Sequence, residues 1–160
     1  RILRNNKKRT RRKKTMKTKT TLLLIITFFI ISCTQTQQCE PTICFEETCY
    51  EIEIPRTQEE KQQGLMFREH LQENQGMLFI FNTQQKHAFW MKNTLIPLDM
   101  IWLNEDLEVV YIQTATPCEE EPCKIYAPTT EALYTLEINA GLAEQNNIKI
   151  ETQAKLELCE

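Results

Sequence analysis

The chain has 160 residues, a formal net charge of −3 and seven Cys. That length suits one domain with one core. The charge is unevenly placed: residues 1 to 20 hold 11 of the 19 Lys and Arg and no acid, leaving residues 21 to 160 at −14. A body so acidic repels phosphate backbones, which argues against nucleic acid as a partner.

The first Met is Met16, and residues 1 to 15 read as a basic upstream or non-native head. Residues 16 to 32 have the pattern of a signal peptide. Lys17 and Lys19 are followed by an apolar run, Leu22 to Ile31, and then Ile31-Ser32-Cys33. The run is shorter than the roughly 20 residues a membrane-spanning helix needs. A Cys directly after it is the pattern of a lipidated first residue, so Cys33 is expected to carry lipid. Membrane lipid is then a partner, and the protein is exported and anchored outside the cytoplasm. Residues 33 to 45 are expected as a tether and 46 to 160 as a single β domain.

Six Cys remain: Cys39, Cys44, Cys49, Cys118, Cys123 and Cys159. An even number in an exported chain argues for disulfides. Six allow 15 pairings, and only Cys118 with Cys123, closing a loop through Glu-Glu-Glu-Pro, is singled out. Zinc held by Cys44-x4-Cys49 and Cys118-x4-Cys123 is the competing reading. Structural zinc pairs are commonly two residues apart, so neither metal nor cofactor is expected.

Along the chain, Cys49 to Ile54 alternates as a half-buried strand that Pro55 stops. Thr57 caps a short helix, with Glu60 at capping-box spacing and Gly64 at its C-terminal end. Leu65 to Leu71 is a turn carrying Arg68. Met77 to Phe81 and Ala88 to Met91 read as a hairpin across the polar turn Asn82 to Lys86. Leu98 to Leu103 and Leu107 to Gln113 read as a second hairpin across Asn104-Glu105-Asp106. Thr114 to Thr130 is a long loop, and Leu133 to Ile138 another strand. Ala140 to Asn146 is a short helix, and Ile148 to Ile150 with Ala154 to Cys159 close the sheet. The expectation is a mainly β domain: a compact antiparallel β-sandwich or barrel with one or two short helices.

Residues 86 to 103 dominate this pattern. Both Trp, Trp90 and Trp102, lie there, and two apolar runs flank a polar knuckle, Lys92-Asn93-Thr94. Asp99 interrupts the second run. A carboxylate enclosed there needs partners, for which Lys92 and Asn93 are the nearest in sequence.

Four ordered blocks carry a family resemblance: GLMFR at Gly64 to Arg68, GMLFIF at Gly76 to Phe81, FWMKNTLIPLDMIWL at Phe89 to Leu103, and LEINAG at Leu136 to Gly141. Over about Tyr50 to Ile150 the chain resembles the family named domain of unknown function 192. The resemblance implies a compact, jelly-roll-like β fold. The family is uncharacterised and implies no activity.

Several chemistries are excluded. The single Ser, Ser32, lies in the signal peptide, so the mature chain has no serine nucleophile. His70 and His87 stand 17 apart, without zinc-protease spacing. There is no Gly-rich phosphate loop and no Cys-x-x-Cys. What remains is a polar set at or near the motif blocks: Arg68, Lys92, Asn93, Asp99, Tyr126 and Glu137. Converging, these would hold a small sugar-like or anionic ligand, with a Trp as stacking face. The bland alternative is an ionic network that fixes the knuckle. The expected function is a non-enzymatic ligand-binding or accessory module at the cell surface. The alternative is a hydrolase of carbohydrate or envelope polymer using Asp99 and Glu137 as acid and base. A third reading, assembly with an envelope partner, calls for an exposed apolar patch.

Overall fold

The computed structural model describes residues 39–159. The head, the signal peptide and Cys33 lie outside the described residues. Nine strands run in chain order as β1 Thr42–Phe45, β2 Thr48–Glu53, β3 Gln75–Gln85, β4 Phe89–Trp90, β5 Leu98–Leu103, β6 Val109–Ala115, β7 Ile125–Tyr126, β8 Ala132–Asn139 and β9 Ala154–Glu157. Two short helices join them, α1 Gln58–Gln63 and α2 Leu142–Gln145. The domain is mainly β, as the alternating apolar pattern requires.

Seven strands form one mixed sheet in the order β6-β5-β8-β3-β2-β1-β9, and β4 pairs with β7 in a separate ribbon. The strands thus lie in a mixed sheet and a small ribbon, and among the described residues they do not close into a barrel. The β2–β3 pair is parallel, because α1 and the following loop carry the chain back before β3 begins. The edges β6 and β9 approach each other, with a bridge between Glu108 and Gln153 and a hydrogen bond of 2.9 Å from the Ala154 N–H to the Leu107 carbonyl. No continuous ladder joins them.

All six residues of β5 are buried. A strand covered on both faces reads as an unbroken apolar run, which is the pattern of Leu98 to Leu103 apart from Asp99. One face packs Ile101 and Leu103 with Ile52, Leu136 and Ile138, and with Leu142 of α2. The other packs Met100 and Trp102 with Met77, Phe79, Leu65 and Leu71. Each large side chain fully buried here contributes about 2 kcal/mol. Gly76 lets β3 and β8 close on the first of these faces: a Cβ at that position would lie 2.9 Å from the Glu137 carbonyl oxygen.

Other segments depart from the sequence reading. β3 runs on through Asn82 to Gln85, so the expected hairpin with Ala88 to Met91 does not form. Asn82-Thr83-Gln84-Gln85 has no Gly or Pro to reverse the chain, and β8 offers a partner as far as Ala132. β4 pairs with β7, which lies inside the expected loop. β1 lies within the segment read as tether. Ile148 to Ile150 is not a strand, and positive φ at Asn147 and Glu151 bends the chain around it. The β5–β6 hairpin does form, with Leu107 in the left-handed region and β6 starting at Val109. Both halves of the Thr57–Glu60 capping box are present.

Disulfides join Cys39 to Cys159, Cys44 to Cys49 and Cys118 to Cys123, the last being the pair singled out from the sequence. The first spans 120 residues and ties the two ends of the domain; the other two span five each. Loop-closure entropy grows with span, so the first contributes most. Replacing Cys39 and Cys159 by Ala should cost about 5 kcal/mol of unfolding free energy, against about 2 for Cys118 and Cys123. Chemical denaturation of the two variants checks this; equal losses would contradict it.

Candidate functional site

The alternation of side chains across the sheet decides which polar residues meet. Register places Asp99 opposite Ile138, and Met100 opposite Glu137. Neighbours at one level share a face, so Asp99 and Glu137 point to opposite faces of the sheet. They cannot flank one bond, and the acid/base pair expected of a hydrolase is not formed.

Asp99 is 2% exposed and fully engaged. Its Oδ1 accepts from the Thr114 hydroxyl at 2.6 Å, and its Oδ2 accepts from the Gly141 and Ala143 N–H groups at 2.8 and 3.0 Å. Those N–H groups open α2, whose N-cap, Gly141, has no side chain to cap with and sits at φ 88°. Asp99 therefore caps a helix 42 residues away in sequence. Neither Lys92 nor Asn93 partners it, against expectation: Thr114 and the α2 backbone sit on its face of the sheet, whereas the knuckle turns away.

Lys92 pairs with Glu121 at 2.8 Å and lies 5.5 Å from the centre of the Trp90 ring. Asn93 has φ 56°, and its carbonyl accepts from the N–H of Phe67, itself at φ 65°. That bond joins the GLMFR block to the knuckle. Trp102 is fully buried and donates to the His87 carbonyl, whereas Trp90 is 48% exposed. Tyr126 is buried on β7, its hydroxyl accepting from the Thr116 N–H at 3.2 Å. The six candidates thus do not converge on one place.

Two of them share a face. Register runs from Glu53 on β2 to Met77 on β3, to Glu137 on β8, to Met100 on β5. Arg68 reaches Glu53 with two hydrogen bonds of 2.5 and 2.6 Å. This fork holds the Glu53 carboxyl below its usual range, chiefly through the hydrogen bond to Arg68. Glu53, Arg56, Gln63, Gly64, Arg68 and Met77 are among the residues lining a cleft of about 380 Å³. Sequence reasoning missed Glu53 and Arg56. Glu53 stands on the polar face of an alternating strand, where an acid ordinarily signals only solvent.

Glu137 is 5% exposed, and burial alone pushes its carboxyl up to about 8. No described residue donates to it or offers it a charge. Thr135, two residues back on the same face, has a buried hydroxyl without a partner among the described residues. Six large apolar side chains stand in solvent among the described residues, and four of them, Phe67, Trp90, Leu95 and Ile125, lie in or beside the motif blocks and the β4–β7 ribbon. Trp90 and Ile125 are register partners, and Phe67 is tied to the knuckle that also carries Leu95.

The family model described as "Uncharacterized ACR", DUF192, matches residues 42–156. The chain belongs to this family. A DUF192 assignment brings no reaction with it. A crystal structure of a protein of unknown function from Novosphingobium aromaticivorans is 34% identical, with a TM-score of 0.65, and the match covers 72% of this chain and 83% of that one. A Sinorhizobium meliloti protein, described provisionally as a transcription regulator, is 26% identical at the same TM-score, covering 73% of this chain and 92% of that one. No curated protein matches.

Glu137 makes stability depend on pH. Between its ordinary value of 4.5 and about 8 the folded state holds a proton that the unfolded state has lost. Unfolding free energy should therefore fall by about 1.4 kcal/mol per pH unit across that window and level off above it. Glu137→Gln should remove this slope. Denaturation midpoints at pH 5, 6, 7 and 8 test it; parallel pH profiles for both proteins would contradict it.

Proposed function

We propose that this protein is a non-enzymatic accessory module, exported and held at a membrane surface through lipid on Cys33. It binds a small anionic or sugar-like ligand in the cleft at Arg68. The observation that carries this reading is the Arg68–Glu53 fork at the cleft wall. It fixes a guanidinium from a motif block beside Arg56, which makes no ion pair among the described residues. A guanidinium held in place loses little freedom on binding and recognises carboxylate or phosphate geometry. The cleft volume lies within the range of small-molecule sites, roughly 300 to 1,000 Å³. The hydrolase reading has no such support, since its two carboxyls face apart.

A second reading, assembly with an envelope partner, is favoured by Phe67. A bulky aromatic in the left-handed region costs about 1 to 3 kcal/mol, and here it stands 65% exposed. An apolar group held in water by strained backbone is a mark of an interaction surface. The acidic body disfavours DNA, so the regulator description of the Sinorhizobium meliloti protein is not carried over.

Calorimetric titration with glucuronate, glucose and inorganic phosphate tests the cleft. One of the anions should bind, and Arg56→Ala and Arg68→Ala should each weaken it about tenfold or more. Because the Arg68–Glu53 pair is partly exposed, Arg68→Ala should cost less than about 1 kcal/mol of stability. Binding unaffected by both variants would overturn the assignment. The anchoring arm is read by fractionation: Cys33→Ser should release the protein from membranes.

A further inference from the structure

The β4–β7 ribbon has an inner and an outer side. Phe89 packs edge-on against Phe79, ring centres 5.0 Å apart, and its register partner Tyr126 is buried. Alternation therefore turns the next pair, Trp90 and Ile125, outward together, 48% and 59% exposed. Phe67 and Leu95, both more than half exposed, stand close by. The Phe67 N–H donates at 2.8 Å to the carbonyl of Asn93, which lies between Trp90 and Leu95 in the knuckle. The backbone under this surface is braced. The Cys118 N–H donates at 3.3 Å to the Met91 carbonyl, and the Cys118–Cys123 disulfide closes the loop that leads into β7. We propose that this surface, given the lipid on Cys33 proposed above, seats in the headgroup layer of a zwitterionic bilayer as the domain's second membrane contact.

Reach selects the bilayer as the occupant. Cys33 stands six residues before Cys39, which the disulfide to Cys159 fixes to the domain. Six residues span at most about 20 Å. Register puts Thr42 of β1 and Leu98 of β5 in one row, four strand steps apart, or roughly 19 Å at the usual strand spacing. The knuckle precedes Leu98 and the tether precedes Thr42, so the tether is long enough for the surface to touch the membrane that holds Cys33. A segment so short keeps the two at high effective concentration, and a weak apolar contact then suffices. Side chains select the bilayer as well. Trp favours the headgroup level, where its ring meets apolar surroundings and its N–H stays wet. Lys92, its ammonium 5.5 Å from the centre of the Trp90 ring, lays its stem along the apolar surface and keeps its charge among the headgroups. Charge selects the lipid class. Lys92 is already paired with Glu121, Glu119 and Glu120 stand exposed in the same loop, and residues 21 to 160 carry −14. Such a body repels anionic headgroups and admits zwitterionic ones. The same bilayer takes the surface that the second reading gives to a protein partner.

The test couples the full chain through the Cys33 thiol, the one Cys outside the three disulfides, to maleimide-bearing lipid in phosphatidylcholine vesicles. Anchoring is then supplied chemically, so a negative result speaks against the surface alone, while fractionation of Cys33→Ser judges the lipid on Cys33 separately. Trp90 and Trp102 are the only two Trp, and Trp102 is fully buried, so a response to lipid reports Trp90. Its emission should move to the blue and be quenched by phosphatidylcholine brominated near the top of the acyl chains. Added phosphatidylglycerol should not strengthen the quenching. Trp90→Phe should abolish the response, and Leu95→Ser and Ile125→Ser should each reduce the quenching about twofold or more, because interfacial binding scales with apolar area. Thermal melts establish that the variants are folded. Leu95 lies outside every strand, so its variant carries the test if Ile125→Ser does not fold. Trp90 emission unchanged by the vesicles would overturn the proposal, as would quenching unaffected in the folded variants. Burial of Trp90 only in native membranes, with their proteins present, would overturn it too and give the surface to a protein partner.

Discussion

A carboxylate inside an apolar strand holds the domain in register. Asp99 lies within β5, the strand buried on both faces, where an unpartnered charge would cost several kcal/mol. Three donors remove that cost: the Thr114 hydroxyl on β6 and the first N–H groups of α2. One side chain thereby joins two neighbouring strands to the helix that follows β8. α2 has only four residues and lacks a local cap, so its exposed N–H groups have no comparable partner in the segment itself. Leu142 and Ala143 of that helix complete one face of the core.

The same alternation that hands Asp99 to α2 hands Glu137 to the opposite face. There its neighbours are thioethers, and burial keeps it neutral. The two carboxyls nearest the motif blocks thus have different jobs. Asp99 is structural, with its acceptors filled; Glu137 is a group that burial keeps neutral, with no donor among the described residues. Beside it, Arg68 and Glu53 keep a compensated ion pair at the cleft. The polar groups on this face are separated by one strand each.

Much of the fold was legible because local signals agreed with the tertiary outcome. The Thr57–Glu60 box, the β5–β6 hairpin and the burial of β5 follow from spacing and apolar content alone. The misread segments are those where a distant strand decided the local structure. Asn82 to Gln85 is polar enough for a turn, yet β8 keeps it extended. Thr42 to Phe45 and Ile125 to Tyr126 are too short to announce themselves, and each exists because a partner strand lies beside it. The family resemblance put Arg68 and Glu137 in motif blocks. It could not say that Asp99 faces away from them, because sequence proximity to Lys92 suggested a nearer partner.

Asp99 welds α2 to the sheet, and amide hydrogen exchange reads that weld directly. The N–H groups of Gly141 and Ala143 should exchange only through global unfolding, with protection matching that of Ile101 in β5. In Asp99→Asn they should exchange through a local opening while Ile101 stays protected. Fast exchange of Gly141 and Ala143 in the parent protein, at the rate of an exposed loop, would contradict the account.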